Sequence, residues 1–260
     1  VFPIINHYYE PKFKYLNYKS GNRNLPGIKL NIQRQLSYLK NLKYANELDF
    51  MNNSPNLENK KFSINNSFFT AGDAEVYYQI IRHNKPKKII EIGSGQSTLV
   101  AIKALEENFN KNNIKSKLIC IEPYENKWLS KLKIEVIRKE IENINFNHKK
   151  FELNKGDILF IDSSHIIKPD GDLTKIYLEI FPKIKRGVII HIHDIFTPRN
   201  YLKKWLLEEV LFWNEQYMLE AILANSNKYR ILLALNFLKN NYFKKLKKVC
   251  PFLLTKNEPG

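Results

Sequence analysis

Two rhythms alternate along this chain. From Phe68 onward, short apolar runs bounded by Gly, Pro, Asn or Asp exchange with stretches in which apolar residues recur every three or four positions. The continuous runs read as strands covered on both faces: Ile89, Ile90 and Ile92, then Leu118–Glu122, Asp157–Asp162 and Gly187–His193, with a shorter strand at Ile134–Ile137. Between them, helical spacing predicts a helix from Asp73, as N-cap, to about Asn84, closed by Pro86. A helix opening at Ser97 or Thr98 carries Leu99, Val100, Ile102, Leu105 and Phe109; another is expected near Trp128 and a third over Leu173–Phe181. Strands alternating with helices imply an α/β fold with a doubly wound, mostly parallel sheet.

The flanks are less regular. Residues 1–30 are rich in Tyr, Lys, Asn and Pro and close on Leu25-Pro-Gly27, while Ile32, Leu36, Leu39 and Leu42 predict an amphipathic helix over 31–48. Asn52 to Asn66 reads as a loop. Residues 1–66 are therefore expected as an N-terminal helical arm or cap, with an oligomer contact as its alternative use. Residues 67–238 form the main domain, with a long helical region over Tyr201–Leu223 and a last strand, antiparallel, over Lys228–Phe237. Residues 239–260 form a basic tail, expected as a solvated terminal helix in preference to one docked on an anionic membrane.

Composition narrows the class. A chain of 260 residues with 43% hydrophobic and 13% aromatic content has ample core for one large domain. No run approaches the roughly 20 apolar residues of a membrane span, and the opening Val-Phe-Pro-Ile-Ile-Asn has no signal-peptide pattern, so a cytoplasmic location is the default expectation. The net charge of +16 comes mostly from Lys spread along the chain with abundant Asn and Ile, as an AT-rich genome produces, so it does not by itself indicate a nucleic-acid partner. Cys120 and Cys250 offer neither a disulfide framework nor a zinc spacing; Cys120 reads as a core residue.

The chemistry lies where the strands end. Ligands of doubly wound sheets bind beyond the carboxyl ends of the strands, and four predicted strands end in polar residues. These are Glu91 with Gly93-Ser-Gly-Gln-Ser97, Glu122 with Pro123, Asp162-Ser-Ser-His165, and His193 with Asp194. Gly93 and Gly95 permit a tight turn and close backbone approach to a ligand, and the helix start beyond them presents free N–H groups. Glu91 is a poor neighbour for a pyrophosphate and a good one for a cation. Thr98 occupies the place of the third glycine of a dinucleotide fingerprint, and no Gly-Lys-Ser/Thr follows for a P-loop.

Glu91-Ile-Gly-Ser-Gly95 is similar to the first motif of class I S-adenosylmethionine-dependent methyltransferases. The segments Gly156–His165 and Gly187–Asp194 resemble those of a bacterial branch near the macrocin and cephalosporin-type O-methyltransferases, as do Leu25-Pro-Gly27, Phe68–Asp73 and Phe212-Trp-Asn-Glu-Gln-Tyr217. The resemblance implies a Rossmann-like, seven-stranded-type sheet and methyl transfer to a hydroxyl of a small molecule or glycan. Glu91, Gly93, Ser94, Gly95, Gln96, Ser97, Glu122, Pro123, Asp162 and Ser163 would bind S-adenosylmethionine, with Glu91 beside its cationic part and Glu122 on the ribose. His165 is the preferred general base, with His193 and Asp162 as further catalytic residues. Asp162 and Asp194 could share a divalent cation such as Mg²⁺, although His193, where metal-binding relatives carry an acid or amide, favours a softer ion or none. His191 lies deeper on the same strand face and reads as structural.

Two other functions compete. One is a nucleic-acid (RNA) methyltransferase on the same fold; adenine-N6 and cytosine-N4 enzymes need an Asp/Asn-Pro-Pro-Tyr/Phe motif at strand four to hold a flipped base, and this chain has Asp162-Ser-Ser-His there, which argues against it. A non-catalytic protein that binds S-adenosylmethionine would keep the glycine turn and Glu122 without a competent acceptor site.

Overall fold

The computed structural model describes Tyr9 and residues 18–53, 61–124 and 126–260. The N-terminal stretch read for a signal peptide, most of residues 1–17 and the loop residues 54–60 lie outside these. Five strands form one sheet: β1 (Lys88–Ile92), β2 (Lys117–Ile121), β3 (Glu135–Ile137), β4 (Ile158–Ile161) and β5 (Ile189–Ile192). Their order is β3-β2-β1-β4-β5 and every pairing is parallel. The order reverses between β1 and β4, so the switch point falls where the glycine turn leaves the sheet. Seven strands were expected from the resemblance; five are present among the described residues.

The helices are α1 (Ile32–Asn41), α2 (Asp73–Asn84), α3 (Gln96–Asn112), α4 (Asp172–Thr174), α5 (Lys203–Leu207), α6 (Glu215–Asn225) and α7 (Leu235–Lys247). A π-helical turn over Lys175–Ile180 prolongs α4. The side-chain period of two divides the sheet's apolar residues between two layers. Ile89, Leu118, Cys120, Ile158 and Phe160 pack with residues of α1, α2, α3 and α7 on one face. Ile90, Ile92, Ile119, Ile121, Leu159 and Ile161 pack on the other with Leu173, Ile176, Tyr177 and Ile180, and α6 adds Met218, Leu219 and Ile222. Each fully buried side chain of this size contributes roughly 1.5–3 kcal/mol.

Four expectations are corrected. Residues 228–237 do not form a strand: 226–234 is irregular chain and Leu235 opens α7. The run Ile231–Leu238 is apolar enough for either element, and packing decides, because Leu235, Phe237, Leu238 and Leu246 all turn into the first layer. The tail is accordingly docked, not solvated; Lys239, only 6% exposed, pairs with Glu258 at 2.5 Å. The long helix over Tyr201–Leu223 is two helices, α5 and α6, broken across residues 208–214, where Val210 takes a left-handed φ of 53°. Near Trp128 there is only a 3-10 turn, Lys127–Lys131.

Candidate functional site

β1 runs into Gly93, whose φ of 77° belongs to the left-handed region, and Gly95 precedes α3. At Gly93 a Cβ would fall on the main-chain oxygen of Asp162, so this glycine serves the close passage of the β4 end. Gly95 is extended and its nearest side-chain neighbour is the Asn126 amide, which donates to Ser94 O at 2.9 Å. Glu122, just past β2, accepts from Ser94 N at 3.2 Å and Tyr124 N at 3.1 Å, tying the ends of β1 and β2 together. Beyond it, Pro123, Tyr124, Arg138, Lys139, Glu140 and Asn143 line a cleft of about 420 Å³ at the carboxyl ends of β2 and β3.

Glu91 is turned away from this edge. It shares the parity of Ile89, so it points into the layer under α2 and α3 and is fully buried. Tyr77 donates to its Oε1 at 3.0 Å, Thr98 to its Oε2 at 2.6 Å, and Cys120 approaches the latter at 3.6 Å. Burial pushes its carboxyl up to about 7, against the hydrogen bonds from Thr98 and Tyr77. The carboxylate thus holds the turn from below.

The second half of the site lies at the ends of β4 and β5. Asp162 Oδ1 faces two imidazoles, His165 Nε2 at 3.3 Å and His193 Nδ1 at 3.4 Å. Asp194 Oδ2 lies 3.8 Å from the first and 3.5 Å from the second. Burial raises the Asp162 carboxyl, but His193 and His165 outweigh it and hold it well below the usual range. Burial likewise lifts Asp194 to about 6 against the pull of the same histidines. Burial pushes the His165 imidazole down, yet Asp162 and Glu215 reverse this and raise it to about 10. His193 is raised too, Asp194 and Asp162 overcoming its burial. His165 (φ 57°) and Asp194 (φ 58°) both have left-handed backbone, a sparsely populated conformation for residues with a Cβ and one that concentrates at functional sites.

One ligand atom each from Asp162, His165 and Asp194 lies within 4.8 Å of the others, a separation that one cation can span. Ser94 Oγ and Ser163 Oγ are buried with no hydrogen-bond partner among the described residues, and His193 Nδ1 closes no hydrogen bond although both aspartates lie within 3.5 Å, so polar capacity along this edge is left for a ligand. The structure therefore gathers Ser94, Gly95, Glu122, Asp162, Ser163, His165, His193 and Asp194 along one edge. Gln96 and Ser97 open α3 beside them, and Pro123 lines the cleft. His191 packs between Tyr77 and Phe160, with ring centroids at 5.0 and 4.9 Å, and burial pushes it down to about 3.

Three participants were not legible as such. Asp73, expected only as a helix N-cap, is the first residue of α2, 5% exposed, with its Oδ2 3.9 Å from His193 Nε2. Gly260 N donates to Asp73 Oδ1 at 3.0 Å and Gly260 lies against Asp194 and Phe196, so residues 258–260 wall this corner. Glu215, at the start of α6, is fully buried and binds His165 Nδ1 at 2.8 Å. Its only sequence signal was its place in the aromatic segment Phe212–Tyr217. The loop after Asp194 is pinned by α6: Gln216 Oε1 accepts from Phe196 N at 2.7 Å, and Thr197 donates to Glu220 at 2.8 Å. Arg23 reaches across to Glu220 and to the carbonyls of Pro198 and Arg199.

Residues 90–195 match the family model described as a methyltransferase domain, a span that includes every strand-end residue from Glu91 to Asp194. An uncharacterized protein of Archaeoglobus fulgidus is 33% identical over 104 residues, which are 40% of this chain and 46% of the relative, so the match spans less than half of that protein. No solved structure matches. The domain match supports a methyltransferase family and methyl transfer in general, and S-adenosylmethionine is the usual cofactor of such a domain. No helix among the described residues is long and apolar enough to cross a membrane.

Proposed function

We propose that this chain transfers a methyl group from S-adenosylmethionine to a hydroxyl of a small molecule or sugar, with Asp162, His165 and Asp194 holding a divalent cation. The observation that carries the proposal is the convergence along one sheet edge of two unlike half-sites. One is a glycine turn with a carboxylate and a cleft; the other is a pair of aspartates bridged by two imidazoles. When bound, the cofactor supplies a methyl on a sulfonium sulfur, and the cation supplies positive charge that orients and acidifies an acceptor hydroxyl.

The chain's own residues then have distinct tasks. Glu122, which directly precedes the cleft residue Pro123, accepts from ribose hydroxyls, and Ser94 Oγ and Ser163 Oγ use their free capacity on the bound cofactor. Glu91 acts from beneath, fixing the glycine turn through Thr98. His165 becomes a ligand and not the base expected from its spacing, because Nδ1 is taken by Glu215 and Nε2 faces both aspartates. His193, which has no carboxylate as close behind it as Glu215 is to His165, is left as the proton acceptor: its buried Nδ1 lies 3.4 and 3.5 Å from Asp162 and Asp194 and closes no hydrogen bond to either. The aspartates are what keep this imidazole protonated; positive charge placed on them would return it to the neutral form a base requires.

One imidazole among two carboxylates favours Mn²⁺ or Zn²⁺ over Mg²⁺. The arrangement of a carboxylate pair beside the His193 imidazole suits deprotonation of a hydroxyl, and no base-holding Pro-Pro-Tyr segment follows Asp162. Titration calorimetry should show S-adenosylmethionine or S-adenosylhomocysteine binding in the micromolar range; a folded protein that binds neither sinks the proposal. His165→Ala should retain cofactor binding and lose methylation of acceptor pools supplied with labelled cofactor.

A further inference from the structure

Behind the imidazole of His165 stands a carboxylate from the start of α6. Glu215 is fully buried, and its two oxygens have separate partners: Oε2 meets His165 Nδ1 at 2.8 Å and Oε1 accepts from Tyr177 OH at 2.9 Å. The same segment grips His165 through the main chain, since Asn214 N and Glu215 N donate to His165 O at 2.9 and 3.2 Å. Trp213 lies against the imidazole with ring centroids 4.2 Å apart. Three consecutive residues leading into α6, some fifty positions away in sequence, thus fix the ring of a residue whose backbone is itself left-handed.

We propose that Glu215 is the positioning residue of the site, holding the proton of His165 on Nδ1 so that the Nε2 lone pair is directed between Asp162 and Asp194 for a divalent cation. The inference rests on the cation-bearing reading above. A carboxylate is acceptor-only when ionised, so it demands an N–H at Nδ1 and leaves Nε2 unprotonated in the neutral ring. Tyr177 completes the arrangement: its hydroxyl occupies the second oxygen, which keeps the carboxylate from rotating away. Such carboxylate–histidine pairs behind a metal ligand contribute roughly 10–100-fold to metal affinity.

The decisive substitution is Glu215→Gln, which preserves volume but can turn its amide N–H toward Nδ1 and so favour the tautomer with Nε2 protonated. Mn²⁺ binding to the full chain, followed by calorimetry, is compared in wild type, Glu215→Gln, His165→Ala and the double variant. Expected is a loss of roughly 10–100-fold for Glu215→Gln in the wild-type background and no further loss in the His165→Ala background. Wild-type affinity in Glu215→Gln overturns the inference, as does an equal loss in both backgrounds, which would mark a structural role only. If Glu215→Gln fails to fold, Tyr177→Phe decides in the same cycle: a loss of a few-fold that vanishes without His165 supports the relay, and an unchanged affinity overturns it. A wild-type chain that binds S-adenosylhomocysteine but no Mn²⁺ overturns the cation-bearing reading and this inference with it. Wild type that binds Mn²⁺ while Glu215→Gln does so equally well overturns the inference alone.

Discussion

The main-chain oxygen of Asp162 occupies the place where a Cβ on Gly93 would stand. The glycine at the end of β1 and the aspartate at the end of β4 are therefore one construction: the second half-site can approach the first only because position 93 has no side chain. Gly93→Ala should cost about 3 kcal/mol or more, combining a left-handed φ of 77° with a backbone collision that no rotamer relieves. Gly95→Ala meets only the Asn126 amide at 3.2 Å, on an extended backbone, and should cost about 1 kcal/mol or less while weakening cofactor binding. Urea unfolding of the two variants checks the contrast; equal stabilities would contradict it.

Glu91 gives the fold a pH dependence of its own. Its carboxyl is raised from 4.5 to about 7 in the folded chain, chiefly by burial. Between those values the folded state binds more protons than the unfolded state, so stability falls as pH rises from about 4.5 to 7 and is level above that. Glu75, also raised by burial to about 7, adds a parallel slope, so the informative quantity is the difference between wild type and Glu91→Gln. Relative to the variant, wild type should lose about 2–3 kcal/mol between pH 4 and pH 8. Parallel stability curves for the two proteins would show that Glu91 ionises as it does in the unfolded chain.

The strands and their carboxyl-end residues were legible because continuous apolar runs between glycines and prolines leave few other options, and a parallel sheet then brings all the strand ends to one edge. The direction of Glu91 was encoded in the same period, since it alternates with Ile90 and Ile92, but which layer covers which face is decided by helices that the strand pattern does not mention. The run Ile231–Leu238 carries no periodicity that separates strand from helix, and only its docking against α1 and α2 resolves it. Glu215 was unreadable for a different reason. Its meaning lies in a partner fifty residues away, and an acid at a helix start ordinarily signals nothing beyond favourable interaction with the helix dipole.

A second carboxylate, Glu47, secures the layer that carries α2. It binds Arg82 Nε at 2.6 Å and accepts from Tyr78 OH at 2.8 Å, while Arg82 itself is 2% exposed and also reaches Asn108. Burial pushes the Glu47 carboxyl up, but Arg82 and Lys111 outweigh it and hold it at about 2. With the folded value below the unfolded one, the contribution is full above about pH 4.5 and is lost as pH falls from there toward 2. Glu47→Gln should destabilise by about 2–3 kcal/mol at neutral pH, because it leaves the buried Arg82 guanidinium short of a counter-charge. Thermal melts should show the gap between the two proteins closing below pH 4; a gap that persists at pH 2 would assign the loss to packing.

Glu122 separates the cofactor's hold from the fold's. Its oxygens accept main-chain N–H bonds from Ser94 and Tyr124, which aim the carboxylate along the sheet edge. Glu122→Gln retains shape and one acceptor oxygen; Glu122→Ala retains neither. A hydrogen bond to a charged acceptor is worth about 1.5–3 kcal/mol, so Glu122→Ala should weaken S-adenosylhomocysteine binding roughly 10–100-fold, and Glu122→Gln less. Because the residue lies at a strand end and not within the core, the melting temperature should shift by only a few degrees, which corresponds to roughly 1 kcal/mol. Calorimetric affinity and melting temperature measured on the same samples test both halves. Unchanged affinity in Glu122→Ala would detach this residue from the ribose, whereas a large loss of stability would make its main-chain bonds, and not ligand binding, the reason for its place beside Ser94.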